Sequence, residues 1–290
     1  MRPIAENQSY STFRNIPIKG HFSAQDPEGD AVSFEVADLP RLGAVQAEKD
    51  GSFVYTPTEN KKGKDTFSYV AVDAVGNISD RGVVSITISK QSTNIAYSDM
   101  TDNASYYSAL VLAEKGILTG EKLGNEYFFR PDMPVTRGEF LAMCLAVSDT
   151  ETLEGITRTG FYDDARIPLW VKPYVSTALM AGIISGFMNG DGQLVFAPED
   201  PVTFSEAAVI MNNMLGIPNV VSVGAMSQDA CPAWSQQAEL NLAACHILTP
   251  AEVQDCSAPM TRAQAADMLV SSMELLNARD TSHSLLDWLK

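Results

Sequence analysis

The spacing of apolar positions divides this chain in two. Over residues 1 to about 90, apolar and polar residues alternate. "AVSFEVADLP", "GSFVYTP", "DTFSYVAVD" and "GVVSITISK" each put every second side chain on one face, which is the period of half-buried strands. Turn formers bound these runs at Asp26-Pro27-Glu28-Gly29-Asp30, Lys49-Asp50-Gly51, Lys62-Gly63-Lys64 and Gly76-Asn77. Short strands with turns at this spacing predict a β-sandwich. From about residue 95 the period lengthens. "YYSALVLAEKGI" predicts a helix stopped by Gly116, "PYVSTALMAGI" one ending at Gly182, and "WSQQAELNLAACHI" one ending near His246. Each is followed by a loop and then a second apolar helix: "EFLAMCLAV", "EAAVIMNNMLGI" and "QAADMLVSSMELL". The rest of the chain therefore reads as three helix–loop–helix units, and the repetition decides the architecture.

One phrase opens each second helix: "PVTRGEF", "PVTFSEA" and "PMTRAQA". Thr followed three residues later by Glu or Gln is a capping box. Thr136, Thr203 and Thr261 are the expected N-caps, with Glu139, Glu206 and Gln264 reaching back to them. Val135, Val202 and Met260 precede the caps and offer a hydrophobic staple, weak where its partner is Ala207 or Ala265. Each cap is worth about 0.5–2 kcal/mol, which accounts for the recurrence of Thr and Glu. It does not account for Arg137 and Arg262. They fall in the first turn, where the helix dipole disfavours a cation. A cation beside free N–H groups suits an anion site better than a helix, so both arginines are candidates for anion binding; the alternative is an exposed arginine that costs only tenths of a kcal/mol and pairs with a neighbouring carboxylate. The second unit has Phe204 at this position.

The motifs also carry resemblances. "DPEGDAVSFEV", "DGSFVYTP" and "GKDTFSYVAVDAVGN" in succession resemble the bacterial Ig-like or cadherin-like repeats of large surface proteins. That likeness raises calcium, with Asp26, Glu28 and Asp30 as weak oxygen-ligand candidates. The favoured reading is a turn with solvated carboxylates, because only one copy is present. The helical units resemble the S-layer homology (SLH) domain. That family's pattern is an aromatic-x-Asp, a helix led by Trp and ending in Gly-Ile-Ile-x-Gly, a Phe-x-Pro loop, and Thr-Arg-Ala-Glu; the units follow its order with "YSDM…LVLAEKGILTG…FFRPDMPVTRGEF", "FYDD…WVKPYVSTALMAGIISG…FAPEDPVTFSEA" and "SQDACPAWSQQAELNLAACHILTP…APMTRAQA".

The resemblance implies three repeats at 95–150, 157–217 and 225–278, after a sandwich at 1–90 and before a tail at 279–290. The fold class expected is multi-domain, β plus α: an Ig-like sandwich, then a pseudo-threefold all-α bundle. It also implies noncovalent binding of secondary cell-wall polysaccharide, often pyruvylated, in grooves between repeats. Carried over by position, the Asp is Asp99, Asp163 and Asp229, the Trp is Trp170 and Trp234, and the Arg is Arg137 and Arg262. The Gly pairs are Gly116 with Gly120 and Gly182 with Gly186; the third unit has His246 and Pro250 there. Ala104 stands where the first unit lacks Trp. No unit is complete, so one or two working grooves are expected. Structural roles compete at several positions. The tryptophans read also as core anchors, the aspartates as N-caps, and Gly116 and Gly182 as helix C-caps.

Charge and composition narrow the rest. With a net charge of −16, nucleic acid and anionic membrane are poor partners. No run of 18 apolar residues provides a membrane span. "MRPIAENQSY" shows no signal peptide, and the chain is expected to be an excised piece of a longer secreted protein. His21, His246 and His283 stand in unrelated contexts, and "GFMNGDGQ" is no phosphate loop, so neither catalysis nor a cofactor is expected. Paired carboxylates such as Asp163-Asp164 and Glu199-Asp200 read as solvated turns. Cys144 stands apart, while Cys231, Cys245 and Cys256 crowd together and predict one disulfide. Cys245–Cys256 and Cys231–Cys256 compete for it. No CxxC favours zinc. The leading expectation is an extracellular wall anchor with an Ig-like spacer. It would bind wall polysaccharide, with other surface proteins as further partners. The alternative is an adhesion or scaffold fragment whose Ig-like domain binds a partner and whose helical units are structural.

Overall fold

The computed structural model describes residues 1–220, 231–248 and 255–287, with side chains to residue 279. The chain forms two compact parts: a sheet-rich one of Met1–Ala96 with Thr101–Leu110, and a helical one of Tyr97–Met100 with Val111–Lys290.

The sheet-rich part carries nine strands: β1 (Ile4–Ala5), β2 (Gln8–Phe13), β3 (Ile18–His21), β4 (Ala24–Gln25), β5 (Ser33–Asp38), β6 (Gly43–Ala47), β7 (Ser52–Pro57), β8 (Gly63–Val72) and β9 (Gly82–Ser89). One sheet runs β2-β9-β8-β5 and another β3-β7-β6, with β1 and β4 paired apart. β2 lies parallel to β9; the other pairs are antiparallel. The alternation becomes burial. In β9, Val84, Ile86 and Ile88 face in, and in β8, Phe67, Tyr69 and Ala71 do. They meet Phe22, Phe53 and Tyr55 in one aromatic core, with Phe22 stacked on Tyr69 at 4.2 Å and Phe53 edge-on to Phe67 at 5.4 Å. Asp65 is the inward exception. It accepts the Tyr55 hydroxyl (2.8 Å) and the Arg41 and Leu42 amides (2.8 and 2.7 Å), so the buried carboxylate pins the turn after β5.

In the Asp26–Asp30 turn, Asp26 Oδ1 accepts the amides of Glu28 (2.9 Å) and Asp30 (3.1 Å). The carboxylates of Asp26, Glu28 and Asp30 lie within 4.8 Å of one another; Glu28 and Asp30 are exposed, while Asp26 is half-buried and its Oδ2 is enclosed without a hydrogen-bond partner among the described residues. The local geometry is that of an Asx turn.

Six α-helices lie among the described residues: α1 (Tyr106–Glu114), which the division between the two parts cuts after Leu110, and, within the helical part, α2 (Arg137–Val147), α3 (Lys172–Met180), α4 (Phe204–Leu215), α5 (Ala233–Ala244) and α6 (Arg262–Asp287). The tail expected at 279–290 begins inside α6. Two short hairpins follow α1 and α3: β10 (Glu121–Leu123) with β11 (Glu126–Phe128), and β12 (Phe187–Met188) with β13 (Leu194–Val195). Helical periodicity again becomes burial: Phe140, Leu141, Cys144 and Leu145 on α2, and Ala207, Ala208, Met211 and Leu215 on α4. No helix among the described residues is long and apolar enough to cross a membrane.

The capping boxes form as expected. Thr136 and Thr203 accept the N3 amides of Glu139 and Glu206, whose carboxylates take the cap amides in return. Gln264 does the same for Thr261 (2.9 Å). The residues before the caps have a further role that periodicity does not reveal. Val135 donates its amide to Met260, Met260 to Val202, and Val202 to Val135, at 2.8–3.0 Å. This closed ring of three backbone bonds joins the three phrases about a common centre, with all three side chains buried.

Candidate functional site

The ring fixes what lies around it. The first two amides of each second helix donate to loop carbonyls of another helix pair. Arg137 and Gly138 donate to Asp200 and Pro198, Phe204 and Ser205 to Ala258 and Cys256, and Arg262 and Ala263 to Met133 and Pro131. With the third amide taken by Thr, these helix starts offer no free N–H groups. The expected anion site on helix amides is therefore corrected, and any anion must be held by side chains.

The two arginines differ. Arg137 is buried. Its Nη1 pairs with Glu206 at 2.7 Å, its Nε donates to the Phe196 carbonyl at 2.9 Å, and its guanidinium lies 5.2 and 5.4 Å from the Phe187 and Phe196 ring centres. Arg262 lies 5.3 Å from the centre of the Phe129 ring. It has no ion pair among the described residues, and its buried Nε has no hydrogen-bond partner there.

Two grooves are lined by these arginines. The first is a cavity of about 770 Å³ bordered by Gly116, Ile117, Thr136, Glu139, Trp170 and Arg262. Tyr174 and Asn277 also line it, and the Trp170 and Tyr174 rings stand 6.4 Å apart, edge to face. The second, about 350 Å³, is bordered by Arg137, Ile183, Gly186, Phe187, Glu206 and Trp234. Each groove draws its loop from one helix pair, its Trp from the next, and its Arg from the remaining one. Trp170 and Trp234 are 56% and 60% exposed. The core-anchor reading of these tryptophans is thus corrected: their rings are presented to solvent at the groove margins.

Other candidate residues form the frame. Asp99 accepts the amides of Phe129 and Arg130 (2.8 and 2.7 Å), and Asp163 those of Phe196 and Ala197 (3.0 and 2.8 Å). These carboxylates are not N-caps; Asp163 makes no capping bond to the short helix after it. Instead each ties the opening motif to the loop that holds the arginine-facing Phe. Arg130 and Ala197 take positive φ angles of 56° and 51°, and the charge-assisted pair of bonds offsets that strain. Asp164 is no solvated turn either: it binds Lys172 Nζ (2.8 Å) and the Thr159 amide and hydroxyl. Gly120 and Gly186 have φ near 70°, and a Cβ there would press on the Phe128 and Val195 carbonyls and on the Tyr97 and Phe161 rings. Packing alone requires glycine at both. Gly116 and Gly182 hold the left-handed turn after α1 and α3 with open space around them, as C-caps do. Asp229 and Pro250 lie outside the described residues.

Cys231 is bonded to Cys256, which settles the two pairings left open by the sequence, and Cys144 and Cys245 are free. Burial pushes the Cys144 thiol pKa up. Cys256 follows the Thr-cap spacing of Pro131 and Pro198. The disulfide thus ties the third opening segment to its loop, much as Asp99 and Asp163 do in the other two. Sequence reasoning missed Glu206 and Phe187 as partners of Arg137. The missed clue lay between copies: Phe187 stands where the first hairpin has Glu121.

Residues 1–90 match the family model of the bacterial cadherin-like domain, and residues 96–141 and 160–208 match that of the S-layer homology domain. Exoglucanase XynX of Acetivibrio thermocellus is 32% identical over 134 residues, 45% of this chain and 12% of that protein. Amylopullulanase of Thermoanaerobacterium thermosulfurigenes is 32% identical over 123 residues, 41% of this chain and 6% of that protein. The chain thus spans a small fraction of either relative. Among solved structures, the SrpA adhesin of Streptococcus sanguinis aligns at 17% identity over 39% of this chain and 76% of that one, with a TM-score of 0.27. The chain therefore carries a bacterial cadherin-like domain at 1–90, followed by S-layer homology domains within 96–208.

Proposed function

We propose that the helical part anchors a bacterial surface protein to its cell wall. In this reading the pairs α1/α2, α3/α4 and α5/α6 are three S-layer homology repeats about a pseudo-threefold axis. They bind an acidic secondary wall polysaccharide, such as a pyruvylated one, in grooves between repeats. The domain at 1–90 serves as a spacer. Asp99, Asp163, Gly120 and Gly186 act as frame residues; Trp170 and Trp234 face the ligand, with Arg262 lining the first groove and Arg137 the second.

The observation that carries the proposal is the first groove. An exposed Trp face suits the apolar face of a sugar ring. An unpaired guanidinium suits a carboxylate, and in a chain of net charge −16 a carboxylate ligand needs such a local cation. The matches to the S-layer homology family support the same reading. The test is co-sedimentation of the intact chain with purified wall polysaccharide. Trp170→Ala should weaken binding about tenfold or more and leave Tm unchanged, since its ring is mostly exposed. No binding by the intact chain, or undiminished binding by the variant, overturns the proposal.

A further inference from the structure

We propose that the two grooves are not equivalent: the first accepts a carboxylate through Arg262, whereas in the second Glu206 already occupies Arg137 as an internal carboxylate. The identity of the ligand as a wall polysaccharide rests on the function proposed above; the asymmetry itself rests on the side chains.

The grooves are built from matching positions, so the differences can be compared one by one. In the second, Glu206 Oε2 caps α4 by accepting the Thr203 amide (2.9 Å), while Oε1 turns to Arg137 at 2.7 Å. In the first, Glu139 Oε2 accepts both the amide and the hydroxyl of Thr136, at 3.0 Å each, and makes no ion pair with Arg262. The hairpins differ as well. Phe187 covers the Arg137 guanidinium. At the matching position of the first hairpin stands Glu121, which is held away by Arg130 Nε at 2.8 Å. Arg137 therefore has its charge paired, its Nε bonded and its faces covered by two rings. Arg262 keeps one ring, no counter-charge and an unpartnered buried Nε among the described residues. A ligand carboxylate entering the second groove must displace a bonded, partly desolvated glutamate, and among the described residues lining the groove the displaced charge has no other cation. In the first groove it meets a donor with nothing to give up. The cavity volumes run the same way.

The decisive variant is Glu206→Gln. The third repeat already has Gln at this position, and Gln264 completes its capping box, so the variant keeps the cap while removing the charge. The intact chain, labelled with nitrogen-15, is titrated with sodium acetate while the arginine Nε–H signals are followed. Arg137→Lys and Arg262→Lys spectra assign them. The expected result is a saturable shift at Arg262 alone in the wild type, with Arg137 responding only in Glu206→Gln. A response of Arg137 in the wild type, silence of Arg262, or silence of Arg137 in folded Glu206→Gln overturns the inference. A second arm uses wall polysaccharide. Arg262→Ala should abolish binding, and Glu206→Gln should raise the number of sites per chain. Retained binding in Arg262→Ala overturns the asymmetry while leaving the wall-anchor reading intact. Acetate shifts as expected with no polysaccharide bound overturn the wall-anchor reading and leave the asymmetry standing.

Discussion

Asp163 and Asp164 are neighbours with different duties. Asp163 holds two loop amides, while Asp164 binds the buried Lys172, which also donates to the Thr157 carbonyl at 3.0 Å. The Lys172 ammonium, then the Thr159 amide, lower the Asp164 carboxyl pKa to about 2. A folded-state pKa below the unfolded one stabilises the fold at pH values above about 4, and that contribution is lost as pH falls through about 2. Asp164→Asn should therefore lower the Tm of the helical part at pH 7. The gap to wild type should narrow steadily from pH 4 downward. A gap that is constant with pH would mean the side chain acts through packing alone. His246 supplies a second case. It takes φ 56° at the position of Gly116 and Gly182, where a side chain is strained. His246→Gly should stabilise the helical part by up to about 1 kcal/mol, read as a rise in denaturant midpoint at unchanged slope; a fall would show that the imidazole contributes a contact.

At the scale of the element, strands, helices and caps were legible in the sequence because each depends on residues a few positions apart. β9 shows its period in burial, and the Thr-x-x-Glu phrase names its own bonds. The site was legible only in part. Trp170 and Trp234 start amphipathic helices, and periodicity does not say which side of the helix start meets solvent. The carboxylate-paired alternative for Arg137 had no named partner, because Glu206 lies in another helix, where its sequence neighbours assign it only to a cap. The amides of the helix starts looked free for the same reason: their acceptors, such as Pro198 and Asp200, belong to another pair's loop. What sequence could give was the comparison among copies. The Arg-to-Phe204 change and the Glu121-to-Phe187 change are visible there, but only the folded ring reveals which copies face each other.

For the molecule as a whole, the closed ring makes the three helix pairs one cooperative body, since opening any one leaves amides and carbonyls of the other two unpaired. The disulfide belongs to that body. No cysteine precedes Cys144, so the sheet-rich core at 1–90 contains none. Cys231–Cys256 bridges a sequence separation of 25 residues, which in a chain-entropy account stabilises by about 3–4 kcal/mol. It also fixes Cys256, whose carbonyl receives the Ser205 amide at the start of α4. Loosening this loop should thus reach the second helix pair as well as the third. Calorimetry of the intact chain should resolve a sheet transition and a helical one. Reduction should lower the helical transition by several degrees and leave the sheet transition in place. Hydrogen exchange should then quicken at Ser205 and Phe204 as well as around Cys256. If exchange quickens only beside the two cysteines, the ring does not couple the pairs and each repeat is stabilised separately.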